Sequence, residues 1–139
     1  LSPNVTDICE IARAAEAAGA DGLSLINTLL GMRIDLDTRR PILRNNTGGL
    51  SGPAVLPVAV RMIWQVANAV RLPILGMGGV SSGRDAAELM LAGADAVGVG
   101  AENLVDPMAC VRIRDELEQY LTEHRVGAAR DLTGGVIAY

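Results

Sequence analysis

Apolar residues recur along the chain with two different periods, and the two kinds of stretch alternate. Residues 6–18 place Ile8, Ile11, Ala12, Ala15 and Ala18 at helical spacing, and residues 54–70 do the same with Val55, Val58, Ala59, Met62, Val66, Ala69 and Val70. Short, nearly continuous apolar runs at 22–27, 73–76 and 96–100 are bounded by glycine and too short for amphipathic helices, which predicts buried strands. Ser82 with Asp85 predicts a capping box opening a helix over 82–92. Asp106-Pro107 predicts an N-cap with proline at N1, opening a helix that reaches about His124. Ala18-Gly19-Ala20-Asp21 and Ala92-Gly93-Ala94-Asp95 repeat the same passage from helix end into strand, with Gly19 and Gly93 suited to the left-handed position that stops a helix.

The resulting order is strand end, helix, strand, helix, strand, helix, strand, helix, with Leu1-Ser2-Pro3 read as the tip of the first strand. Such alternation implies a parallel sheet with outer helices. A whole (β/α)8 barrel takes about 250 residues, and this chain has 139 and begins without Met. The expectation is therefore an α/β fold, the C-terminal half of a (β/α)8 TIM barrel, with residues 1–139 forming a single partial domain.

Composition narrows the function classes. Half the residues are hydrophobic, with no Phe, so the core must be built from Val, Leu, Ile, Met and Ala. A net charge of −4 without a basic stripe argues against nucleic acid or an anionic membrane as the main partner. No apolar stretch has the length of a membrane span or a signal peptide. Cys9 and Cys110 are isolated and lack metal-type spacing, so a reduced, cytoplasmic chain is the default expectation.

The candidate chemistry gathers at strand ends. In Pro73 to Ala101 a strand runs into Gly76-Met77-Gly78-Gly79, a capped helix follows, and a second strand ends at Gly100. Gly78 and Gly79 would let backbone N–H groups approach an anion, and the N-terminus of the helix from 82 would add free donors and its positive dipole end. The alternative is that these glycines serve turns and packing only. Asn27 and Thr28 fall at the end of strand 22–27, where barrel active sites collect. An amide offers one donor and one acceptor, matching the edge of a pyrimidine-like cyclic amide; equally, Asn27 could satisfy loop backbone. Residues 29–53 form a long connection, of a kind that is functional or disordered when it exceeds about 12–15 residues. Arg33, Arg39, Arg40 and Arg44 within it are interrupted by Asp35 and Asp37, which favours a solvated loop. No nucleophile–base set is present: His124 sits near a helix end, and each cysteine reads as a small helical hydrophobe.

The segments LSPNVTDI, ADGLSLINTLLGMRIDL, GGLSGPA, PILGMGGVSS and AGADAVGVG, in this order, resemble the C-terminal half of the flavin-dependent dihydroorotate dehydrogenases, and within them the class 1B catalytic subunits of bacteria. The resemblance extends to about Pro107. It implies FMN as the bound phosphate compound and dihydroorotate, oxidised to orotate in pyrimidine biosynthesis, as the substrate. Ile26, Gly52, Gly78, Gly79, Gly100 and Ala101 fall at FMN-contacting positions, and Asn27 and Thr28 at pyrimidine-binding positions. It also implies an N-terminal half-barrel, an oligomer, and an electron-transfer subunit carrying FAD and a 2Fe–2S cluster that passes electrons to NAD.

In the class 1B family the base is a cysteine on a loop of the N-terminal half, and a flavin-contacting lysine precedes the position of Leu1. Neither lies in this chain, and Cys9 and Cys110 do not align with the base, so no catalytic residue is expected here and no metal site. Where the family often has Gly-Thr after the last strand, this sequence has Gly100-Ala101-Glu102, which removes a hydroxyl and adds a negative charge near the anion. Two other readings remain: a catalytically incomplete half-barrel acting at most as a phosphate- or FMN-binding module, and a related barrel of the dihydropyrimidine dehydrogenase type.

Overall fold

A computed structural model describes residues 1–139. Helix α1 (Ile8–Ala17) leads into β1 (Leu23–Leu25). The chain then makes four very short strands, β2 (Leu29–Gly31), β3 (Ile34–Asp35), β4 (Arg40–Pro41) and β5 (Gly48–Leu50). Helix α2 (Leu56–Ala67), β6 (Ile74–Met77), α3 (Gly83–Ala92) and β7 (Ala96–Gly98) follow. A one-turn α4 (Glu102–Val105) and α5 (Ala109–Glu123) complete the regular elements, with 3-10 turns at Pro53–Val55 and Ala129–Leu132.

Strands β1, β6 and β7 form one parallel sheet in the order β1-β6-β7, with Leu25 opposite Gly76 and Gly76 opposite Val97. Leu1 flanks the free edge of β1: its amino group donates to the Ser24 carbonyl, and its own carbonyl accepts from Asn27 N–H at 3.2 Å. Alternation along the strands decides what each face does. Leu23, Leu25 and Ile74 are buried against the helices, while Ser24 and Leu75 stand on the open face.

Helices α1, α2, α3 and α5 cover the other face around one core that includes Ile8, Ala12, Leu25, Ala59, Ile63, Val66, Ile74 and Leu89. Every buried residue except glycine and proline is apolar. The helical stripes read from sequence mostly point into this core, but Ile11 and Ala18 are exposed, and Ile63, outside the expected stripe, is fully buried. Gly93 stops α3 at φ +124°, where a side chain would also overlap Ala67. Residues 125–139 carry no periodic signal, yet Leu132 packs on Ala87 and Met90 and closes a small second cluster over α3.

Three boundaries differ from expectation. The connection 29–53 is not structureless: β2 pairs antiparallel with β5 and, nested inside, β3 with β4, making a ribbon that stands beside the sheet. Strand β7 ends at Gly98, so Gly100 lies in the following loop. Helix α5 opens at Ala109, because the Asp106 carboxylate accepts from Met108 N–H at 2.9 Å and its carbonyl from Ala109 N–H at 3.0 Å, closing a separate turn first.

Candidate functional site

Because β1, β6 and β7 run parallel, their C-terminal ends open on one edge. There Ile26, Asn27 and Thr28 follow β1, Gly78, Gly79 and Val80 follow β6, and Val99, Gly100 and Ala101 follow β7. These segments surround a cleft of about 690 Å³, closed on one side by Leu50 to Gly52 of the ribbon and by Leu1 and Ser2. The structure brings Ile26, Asn27, Thr28, Gly52, Gly78, Gly79, Gly100 and Ala101 together on its lining.

Backbone hydrogen bonding sets part of this lining apart. Ile26 N–H is taken by the Met77 carbonyl at 2.8 Å and Asn27 N–H by Leu1. The N–H groups of Gly78, Gly79, Val80, Val99, Gly100 and Ala101 find no acceptor within the chain. Unpaired donors from two neighbouring loops that line one cleft suit an acceptor-rich group such as an anion, which can take several N–H bonds at once.

The glycines contribute unequally. Gly79 has φ +80°, and a Cβ on it would lie 2.7 Å from Leu56 N and 3.0 Å from the Gly52 carbonyl oxygen. Its missing side chain lets the loop rest on the start of α2; the requirement comes from packing. A Cβ on Gly100 would meet nothing within 4 Å, so that position tolerates a side chain as far as the fold is concerned.

The expected contribution of the α3 N-terminus is corrected. Gly83 N–H donates to Glu116 Oε2 at 2.7 Å, Asp85 N–H to Ser82 Oγ at 3.2 Å, and both Ser81 N–H and Ser81 Oγ to Asp85 Oδ2 at 2.9 Å. Carboxylates and the Ser82 hydroxyl already hold these donors, and Val80 is the last residue of this segment on the cleft. Asp85 thus reaches Ser81 instead of the backbone of the N-cap Ser82. The added charge of Glu102 is also answered: Arg112 Nη2 lies 3.0 Å from Glu102 Oε1.

At the β1 end, Asn27 satisfies loop backbone through its oxygen and leaves its amide nitrogen free. Its Oδ1 accepts from Thr28 N–H at 2.6 Å and Thr28 Oγ1 at 3.3 Å, while its Nδ2 has no partner in the chain. Thr28 is seated over Gly49 of β5, where a side chain would overlap its hydroxyl. Asn4, which sequence reading passed over, fixes this segment: its Nδ2 donates to the Thr28 carbonyl and its Oδ1 accepts from Leu30 N–H, both at 2.9 Å. Nothing in its local pattern marks it, since both partners lie beyond β1.

None of the 19 lining residues has an Asp, Glu, His, Cys, Lys or Arg side chain. His124 stacks on Tyr120 away from the cleft, and Cys9 and Cys110 are free thiols that do not line it. Burial, with help from Asp7, pushes the Cys9 thiol up and away from reactive thiolate. Arg33, Arg39, Arg40 and Arg44 are all exposed and stand off the cleft. No helix is long and apolar enough to cross a membrane.

Parallel strands covered by helices, with the cleft at their C-terminal ends, are (β/α) repeats of the kind that build TIM barrels. The family model for dihydroorotate dehydrogenase matches residues 1–121, and the chain belongs to that family. It is 60% identical over 136 residues to the "Dihydroorotate dehydrogenase B (NAD(+)), catalytic subunit" of Citrifermentans bemidjiense, covering 98% of this chain and 45% of that protein. It is 61% identical over 135 residues to the protein of the same name from Halalkalibacterium halodurans, covering 97% and 44%. The chain thus spans less than half the length of these relatives. The crystal structure of the dihydroorotate dehydrogenase of Eimeria tenella in complex with ferulenol superposes with a TM-score of 0.81 at 28% identity, covering 97% of this chain and 36% of that one.

Proposed function

We propose that this chain forms the phosphate- and pyrimidine-holding wall of an FMN-dependent dihydroorotate dehydrogenase of the B type, which oxidises dihydroorotate to orotate. The observation that carries the reading is the cleft itself, whose lining combines six residues with unpaired N–H groups and the free amide of Asn27. The residues present fit FMN: the donors match a phosphate, the cleft is within the range of small-molecule sites, and its lining is otherwise largely apolar. FMN, when bound, supplies the two-electron acceptor for the oxidation.

This chain's own residues bind and orient. Gly78, Gly79, Gly100 and Ala101 hold the phosphate through their N–H groups, Ile26 and Gly52 border the flavin, and Asn27 Nδ2 with Thr28 Oγ1 holds the pyrimidine. Removal of a substrate proton needs a group within hydrogen-bond reach and a suitable pKa. With no such side chain on the lining, the base comes from another part of the subunit. Relatives named as the catalytic subunit of an NAD(+) enzyme support a separate partner subunit and NAD as the onward acceptor; FAD and a 2Fe–2S cluster on that partner, and a cytoplasmic oligomer, belong to this reading through the family resemblance alone.

The test is anaerobic titration of the full-length catalytic subunit carrying this sequence, followed by flavin absorbance. Dihydroorotate is expected to bleach the bound flavin, and the 139-residue chain alone is expected to give no bleaching. Flavin that stays oxidised in the full-length subunit contradicts the assignment, and bleaching by the isolated chain contradicts the missing base.

A further inference from the structure

Below the cleft, a single guanidinium joins four segments. Arg112 of α5 donates through Nη1 to the Ser81 carbonyl and to Glu116 Oε1, each at 3.0 Å, through Nη2 to Glu102 Oε1 at 3.0 Å, and through Nε to Asp106 Oδ2 at 3.1 Å. Ser81 follows the loop of Gly78 to Val80, and Glu102 follows the loop of Val99 to Ala101. Arg112 is therefore a strut between the two runs of unpaired N–H groups. Its surroundings are strongly acidic: besides its three carboxylate partners, Asp85 holds Ser81 from the other side. One positive charge stands among four negative ones, close to the place assigned to an anion.

We propose that Arg112 is a positioning residue for the phosphate of the bound flavin, setting the spacing of the two donor loops and shielding the phosphate from the Glu102 carboxylate. The inference rests on the phosphate reading of the cleft. The planar guanidinium serves where an ammonium would not, because it directs separate N–H groups to the Ser81 carbonyl and to three carboxylates at once. Asn103 completes the lower loop, its Nδ2 donating to the Val99 carbonyl at 2.7 Å.

The experiment compares FMN with riboflavin, which keeps the ring and lacks the phosphate, as ligands of the full-length apo-subunit. Dissociation constants come from flavin fluorescence quenching. The wild-type protein is expected to prefer FMN. R112M is expected to lose at least about tenfold of that preference through weaker FMN binding, with riboflavin affinity unchanged. R112M/E102Q, which also removes the carboxylate left without its partner, is expected to recover part of it.

A merely structural role for Arg112 would weaken both ligands together and leave their ratio intact, which overturns the proposal. R112K keeps one charge but cannot hold all four partners, and it reads the same ratio if R112M does not accumulate as folded protein; an unchanged ratio there also overturns it. A wild-type protein that binds FMN and riboflavin equally refutes the phosphate reading itself, a result distinct from a preference that survives the loss of Arg112.

Discussion

Asn4 brackets Thr28 from across the edge of the sheet: its amide donates to the carbonyl of Thr28 and accepts from the N–H of Leu30, both at 2.9 Å. The segment proposed to hold the pyrimidine is thereby pinned on both sides of Thr28 by a residue that does not itself line the cleft. Its Nδ2 also contacts Ser2 Oγ at 3.1 Å, which fixes the plane of the amide.

Asn4→Ala is expected to raise the KM for dihydroorotate by about three- to tenfold, the loss expected for two exposed hydrogen bonds, while FMN affinity stays near wild type. Asn4→Asp keeps the acceptor for Leu30 but loses the donor to Thr28, and should fall between the two. Steady-state kinetics with a parallel flavin titration checks this, and equal losses in both would mean that Asn4 supports the whole cleft.

Gly79 and Gly100 should separate packing from binding. Gly79→Val forces a side chain against the backbone of Leu56 at a positive φ, a combination expected to cost roughly 2–5 kcal/mol of stability whether or not a ligand is present. Gly100→Val enters open space, so its melting temperature should stay near wild type while FMN affinity falls. Thermal melting of the apo forms beside flavin titration reads both. A Gly100 variant with undiminished FMN affinity would remove that loop from the site.

Acid should loosen the strut beneath the cleft. The Gly83 N–H, followed by the Arg112 guanidinium, holds the Glu116 carboxyl below the usual carboxylate range. The Met108 N–H and Arg112 do the same for Asp106. Carboxyls with lowered folded-state pKa values contribute stability that is complete above their unfolded values, near 4. That contribution is lost as pH falls through the folded values. Glu116→Gln should therefore melt below wild type at pH 7, with the gap narrowing from about pH 5 downward. A gap that stays constant with pH would show that Glu116 acts by packing alone.

Much of this arrangement was legible in the sequence because it is local. The apolar runs at 22–27, 73–76 and 96–100 are short, glycine-bounded and separated by helical stripes, and they form the parallel sheet in that order. The eight residues named from strand ends and from family resemblance meet on one cleft because parallel strands deliver their C-terminal ends to one edge. The features that escaped depend on distant partners. Glu116 takes the Gly83 N–H from 33 positions away, so the start of α3 reads as free when it is occupied. The ribbon strands β2 to β5 hold two or three residues each and have no room for an alternating pattern, so 29–53 reads as loop. Gly79 reads as a ligand contact, and only the approach of Leu56 shows that the fold itself requires it.

The central claim is that the unpaired N–H groups after β6 and β7 hold the flavin phosphate while Asn27 and Thr28 hold the pyrimidine. A crystal structure of the full-length subunit with FMN and orotate tests it most directly. The account predicts phosphate oxygens within hydrogen-bond distance, about 2.7–3.2 Å, of N–H groups from both the Gly78–Val80 and the Val99–Ala101 loops, with the orotate ring against Asn27 Nδ2. A phosphate bound elsewhere, with these N–H groups facing water, would contradict it.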